Sequence, residues 1–277
     1  LFPYTTLFRS CSMFESPLVF YDIQQRIQSM QEMSQFSFFF HHIDEDRLLK
    51  DPTYFVNLGL GTYRTCILMG TSIQGDSWFE KNLSRFPVPV LVIGRVLKGY
   101  HAITIDYDKQ MATTLEYLWE RGCRRILYLG RQWNSQVDVA RLSAYQRFCS
   151  EQKQKPLIVN HGTFDEHGGY MQTHEALAHD RKPDSIVTVN DAQAIGAIRA
   201  LHDAGLSVPD DVRVVGYGNF PIGRYTLPSV TTVPQFTNEV LDAVCGYILG
   251  VVLSGDAPPK PYQKMFVSLE IIRRESG

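Results

Sequence analysis

The chain has 277 residues, 44% of them hydrophobic, and its 27 basic and 29 acidic side chains leave a formal net charge of -2. That length supplies one large domain or two smaller lobes, with ample material for a core. The charge balance excludes a dedicated nucleic-acid face, which carries a basic excess. The most apolar helical run, Val240 to Leu253, is too short to span a bilayer and contains Asp242, so no membrane partner is expected.

The opening residues, Leu1-Phe-Pro-Tyr-Thr-Thr-Leu-Phe-Arg-Ser10, read as a translated sequencing adaptor and are set aside from fold reasoning; a genuine strand is the other reading. No basic region followed by an apolar block marks a secretory signal. Ser16-Pro17 opens a helical pattern, with Ser as cap and Pro at the first helical position, followed by Phe20, Ile23, Ile27 and Met30 at helical spacing. Strands are predicted at Phe36 to Phe40, Thr65 to Met69 and Val88 to Ile93. Met111, Leu115, Leu118 and Trp119 then mark one face of a helix that Gly122 ends. Arg125 to Gly130 is the next strand, and Val139, Leu142 and Tyr145 mark a helix. A strand at Leu157 to Val159, a helix over His167 to Ala178 and a strand at Ile186 to Val189 follow. The helix with Ile195, Ile198 and Leu201 on one face stops at Gly205, before a strand at Val212 to Tyr217. The apolar helix Val240 to Leu253 and a strand over Met265 to Ile272 finish the chain. Strand–helix alternation of this kind gives an α/β fold, with parallel sheets flanked by helices.

The five cysteines are dispersed and form no Cys-x-x-Cys pair, which suits reduced thiols in a cytoplasmic protein rather than a zinc or disulfide framework. His41-His42 cannot easily share one ion, because adjacent strand residues point to opposite faces. Asp44-Glu45-Asp46 reads as a solvated loop. No phosphate-binding Gly-x-x-x-x-Gly-Lys-Ser/Thr loop, no Gly-x-Ser-x-Gly elbow and no nucleophile–base pair is present in the sequence, so neither an enzyme nor a cofactor is expected.

Several motifs occur in order. They are Val88-Pro-Val-Leu-Val-Ile-Gly-Arg95, Asp106 followed by Tyr117-Leu-Trp-Glu-Arg-Gly-Cys-Arg-Arg-Ile126, and Arg141-Leu-Ser-Ala-Tyr145. Asn190-Asp-Ala-Gln-Ala-Ile-Gly-Ala197, Arg224-Tyr-Thr-Leu-Pro-Ser-Val-Thr-Thr-Val233 and Arg274-Glu-Ser276 complete the series. From Val88 onward the chain resembles the effector-binding domain of LacI/GalR-family transcriptional regulators. The resemblance implies a two-lobe, type I periplasmic-binding-protein-like fold whose parallel sheets flank a cleft and are joined by three crossovers. It implies an N-terminal lobe over 11–122 plus 235–258 and a C-terminal lobe over 123–234 plus 259–277. The implied partners are a sugar-like small-molecule effector and a second copy in a homodimer. Operator DNA would be reached only through an N-terminal helix-turn-helix that these residues lack. An exported solute-binding protein for transport or chemotaxis is the alternative reading.

The same resemblance assigns the ligand residues. Arg141 takes the place of the family's effector-contacting arginine, against the reading of a surface helix residue; its rigid fork of donors suits hydroxyls, a carboxylate or a phosphate. Asn190 reads equally as a ligand group at a strand end and as a helix cap, and the roles can coexist. Phe164 matches a stacking aromatic or is a core residue. Asp106 matches a cleft carboxylate or is an N-cap. Trp133, in the loop after Gly130, is a further stacking candidate. Leu18 and Val19 stand where the family has phenylalanines at the pocket mouth. Asn219 follows Tyr217-Gly218 where the family often has Asp, so a charged acceptor is absent and Asn219 replaces it in part.

Overall fold

Short runs of β-branched and aliphatic residues alternate with helices, and the runs Val90–Ile93, Ile126–Leu129 and Ser185–Thr188 become strands buried along their whole length. The computed structural model describes residues 5–10, 23, 25, 26, 29, 37–42, 63, 65–69, 80–82, 86, 88–131, 135–179, 182–254, 262–267 and 270–277. Among them the chain order begins β1 (Thr5–Ser10), β2 (Ser37–His42), β3 (Thr65–Met69), β4 (Val90–Ile93) and β5 (His101–Ile105). It continues α1 (Tyr107–Glu120), β6 (Ile126–Leu129), α2 (Gln136–Glu151), β7 (Leu157–Val159), α3 (Glu166–Ala178), β8 (Ser185–Thr188), α4 (Asp191–Asp203) and β9 (Arg213–Tyr217). A 3-10 turn (Pro221–Arg224), β10 (Thr231–Val233), α5 (Asn238–Ser254) and β11 (Gln263–Phe266) complete it.

The described residues divide into two compact units, one of 1–105 with 236–266 and one of 106–235 with 267–277, so the chain passes between them at 105/106, 235/236 and 266/267. The first unit holds a parallel sheet in the order β11-β5-β4-β3-β1-β2. Thr5–Ser10, adaptor-like in sequence, pairs along its length with β2 on one side and β3 on the other; its Thr-Thr-Leu-Phe core suits a strand. Helix α5 buries Val240, Val244, Cys245, Ile248 and Val251 within this unit. Among the described residues, no helix is long and apolar enough to cross a membrane.

The second unit holds a parallel sheet in the order β10-β9-β8-β6-β7. Its largest buried cluster joins Met111, Leu115 and Leu118 of α1 to Tyr128, Tyr145, Val187 and Tyr217. That packing, together with a hydrogen bond from Gln110 Nε2 to the Pro234 carbonyl (3.1 Å), is why α1 lies in the second unit, while the boundary expected at 122/123 falls one helix later. Gly122 follows the α1 C-cap with φ +86, the left-handed conformation that glycine adopts at no steric cost.

The expected strand over Met265 to Ile272 is two features. Gln263–Phe266 pairs with β5 in the first sheet, and Ile272 makes an isolated antiparallel bridge to Thr232 in the second unit. A continuous apolar run cannot mark where a chain leaves one sheet for another. Strands β5 and β10 carry no distinct sequence expectation and are supplied by pairing. The Ser16-Pro17 helix start, Phe36 and the acidic run 44–46 lie outside the described residues.

Candidate functional site

Ligands of open α/β sheets sit beyond the carboxyl ends of the strands. In the second unit those ends are Gly130-Arg131 after β6, Val189-Asn190 after β8 and Gly218-Asn219 after β9. Helix α2 begins there at the N-cap Ser135 and carries Arg141 inward one and a half turns later. Arg141 is 4% exposed. Its Nη1 donates to the Val189 carbonyl (2.9 Å), and its guanidinium lies 4.4 Å from the ring centre of Tyr217 and 5.2 Å from that of Tyr107. Its Nε is buried and has no hydrogen-bond partner among the described residues. The Tyr217 hydroxyl lies 2.7 Å from that of Thr114. Burial pushes the Tyr217 phenol up to about 12, with Arg141 acting in the opposite sense, so Tyr217 is neutral at ordinary pH.

A second guanidinium lies close by. Arg131 Nε donates to Asp138 (3.1 Å), and both side chains are buried. Ser135 Oγ donates to the other Asp138 oxygen at 2.5 Å. The Arg131 guanidinium covers the ring of Phe164 at 4.3 Å. The burial of Tyr128, which raises its hydroxyl, is answered electrostatically by Arg141 and Arg131 and reinforced by Asp138, so one phenol senses all three charges.

Asn190 is committed as the α4 cap: Oδ1 accepts the Gln193 N–H (2.7 Å), and Nδ2 donates to the Phe164 carbonyl (2.7 Å). Its side chain thus fastens the Phe164 loop to β8, next to the Val189 carbonyl that holds Arg141. Gln172 and Gln193 extend this ordering, donating to the carbonyls of Gly130 and Thr163 respectively (2.8 and 2.9 Å). Phe164 is half-buried against the main cluster. Arg141, Asn190 and Phe164 are therefore brought together at this end of the second sheet.

Asp106 caps α1, accepting the Lys109 N–H at 2.9 Å. Asn219 has φ +54, and its Oδ1 accepts from Arg274 Nη2 (2.7 Å), which ties it to the C-terminal segment. The carboxylate of this corner is Asp191, whose oxygens accept the Thr232 hydroxyl and the Phe220 N–H, each at 2.6 Å. Burial pushes Asp191 up to about 6 against the pull of those hydrogen bonds and of Arg274. Leu18, Val19 and Trp133 lie outside the described residues. Sequence reasoning missed Arg131, Asp138 and Tyr107; the one available signal was the position of Arg131 immediately after a strand. Among the described residues no group of three or more His, Cys, Asp or Glu is placed to hold a metal ion.

Parallel sheets flanked by helices, with a polar and aromatic cluster at their carboxyl ends, define a small-molecule-binding class of α/β protein. The model of the periplasmic binding protein-like domain family matches residues 115–277. The chain belongs to this family. It is 28% identical over 194 residues to the HTH-type transcriptional regulator AscG of Escherichia coli (strain K12), covering 68% of this chain and 56% of that protein. Among solved structures it is similar to a LacI family transcriptional regulator from Enterococcus faecium with bound ribose (TM-score 0.80, 19% identity, 98% of each chain). It is also similar to a dimeric Lac repressor (TM-score 0.81, 19% identity, 99% of this chain and 98% of that one). At such identities the structural likeness speaks to the fold alone. The chain spans about half the length of the curated relatives it matches.

Proposed function

We propose that this domain senses a sugar-like small molecule on behalf of a DNA-binding transcriptional regulator. The observation that carries the reading is Arg141: a buried guanidinium between two aromatic faces, with an unspent N–H, at the strand ends where sheets of this class take ligands. Asn190 and Phe164 order the loop beside it. Arg131 and Asp138 fix the neighbouring wall. Effector binding acts through its differential affinity for two states of the regulator. Operator DNA is held by a helix-turn-helix segment of the whole regulator.

The domain works as a homodimer in this reading. An open groove of 690 Å³ is lined by the apolar Ile195, Ile198, Leu206, Val208, Leu227 and Pro228, together with Arg199 and His202 among its polar members. Leu227 of this lining is 90% exposed, and Tyr225, two residues before it, is 81% exposed. A largely apolar groove with exposed hydrophobic side chains of this kind suits association with a second copy.

The gene upstream of the codon for Cys11 tests the regulator reading. A helix-turn-helix coding stretch in frame there is the expected finding. A secretory leader in its place overturns the proposal in favour of an exported solute-binding protein.

A further inference from the structure

Charge balance around Arg141 restricts what its site accepts. A buried guanidinium is costly unless an opposite charge or a full set of hydrogen bonds compensates it. Among the described residues, Arg141 has one carbonyl and two aromatic faces. The carboxylates of the surrounding elements are spent elsewhere. Asp138 serves Arg131 and Ser135, and Asp108 serves Arg147. Asp106 caps α1, and Asp191 holds Thr232 and Phe220. Asn219 is neutral and bound to Arg274. Arg131, Asp138 and Arg141 together leave one positive charge.

We infer that the effector bears an anionic oxygen group, a carboxylate or a phosphate on a sugar-like body, and that Arg141 receives it through the Nε edge of its guanidinium. This rests on the sensing function proposed above and names the chemistry of the molecule sensed. The Nε edge is what remains available, because Nη1 is given to Val189. A neutral sugar could accept the same N–H, but it would leave the buried charge uncompensated. A carboxylate or phosphate supplies both the opposite charge and a pair of oxygens spaced to accept from the guanidinium fork.

Calorimetric titration of the 277-residue chain with matched compounds tests this. One series is glucose, glucuronate and glucose 6-phosphate, the next galactose and galacturonate, the third ribose and ribose 5-phosphate. In at least one series the anionic member should bind about 10- to 100-fold more tightly than its neutral counterpart; the uronate and phosphate arms tell the two anions apart. Arg141→Gln should abolish that preference. Arg141→Lys, which keeps the charge and loses the fork, should retain part of it, and it serves as the readout if the Gln variant melts early. A neutral sugar binding as tightly as its anionic counterparts overturns the inference and leaves the sensing function standing. A preference for the anion unchanged in both variants also overturns it, because the anion is then held elsewhere. If no member of any series binds, the sensing function fails and the inference with it.

Discussion

Asp191 is the residue whose chemistry has the clearest consequence for stability. It is buried, and the folded protein holds its proton up to about 6 rather than near 3.8. Between those values the native state binds more protons than the unfolded chain, so this site adds stability as pH falls through 6 and imposes its full penalty above it. The penalty at neutral pH is on the order of 2–3 kcal/mol. Asp191→Asn is nearly isosteric and can still accept the Phe220 N–H, while Thr232 turns its hydroxyl to accept from the new amide. Denaturant melts of wild type and variant at pH 7.5 and 4.5 should differ in their stability gap by about 2 kcal/mol, with the wild type favoured at the lower pH. A gap that does not move with pH would show that the carboxyl is not perturbed. At this scale the sequence was partly legible. Motif position singled out Arg141 and Asn190 as candidates, whereas Asp191 sat in the same motif as Asn190 with nothing to mark it as buried. The Arg131–Asp138 pair was illegible because it closes across the start of a helix, not along one.

Elements meet most closely where α3 crosses α4. A Cβ on Gly196 would come within 1.9 Å of the Glu166 carbonyl oxygen, and one on Gly169 within 2.1 Å of the Gln193 carbonyl oxygen. Both obstacles are backbone, so the helices would have to separate rather than repack a side chain. Gly196→Ala should therefore destabilise the second unit by about 1–3 kcal/mol, despite the better helix propensity of alanine. A urea midpoint equal to wild type or higher would contradict the close crossing. Its effect on ligand affinity should be larger than that of a surface substitution, because α3 and α4 carry Gln172 and Gln193, which order the Gly130 and Thr163 carbonyls. Helix positions were readable from apolar spacing, and α4 ends at Gly205 as its sequence indicated. Their crossing distance was not, since a glycine in a helix pattern does not say which neighbour requires it.

The whole molecule depends on pairings that join distant parts of the chain. Thr5–Ser10 is an interior strand of the first sheet, flanked by β2 and β3. Deleting residues 1–10 should leave both neighbours with unpaired edges and remove the cooperative unfolding of that unit, measured by circular dichroism during a thermal ramp; a second unit that melts as before is the expected companion result. An unchanged melt would show that the sheet closes without this strand. At the apolar face beside the groove, Leu227→Asp should shift the species measured by sedimentation equilibrium from dimer to monomer with little effect on folding, because Leu227 is 90% exposed. A dimer that persists would place the self-association surface elsewhere.

By itself the sequence determined the α/β class, the order of most strands and helices, and the kinship that points to Arg141, because periodicity and local motifs are written in consecutive residues. Only the tertiary structure decided that α1 belongs with the second sheet, that the last strand-like run divides between two sheets, that Asn219 faces Arg274, and that Arg141 is buried with no carboxylate partner among the described residues. Each of those depends on which side chains meet across large sequence separations. Whether a charge is compensated depends on that meeting, not on the composition of the segment that carries it.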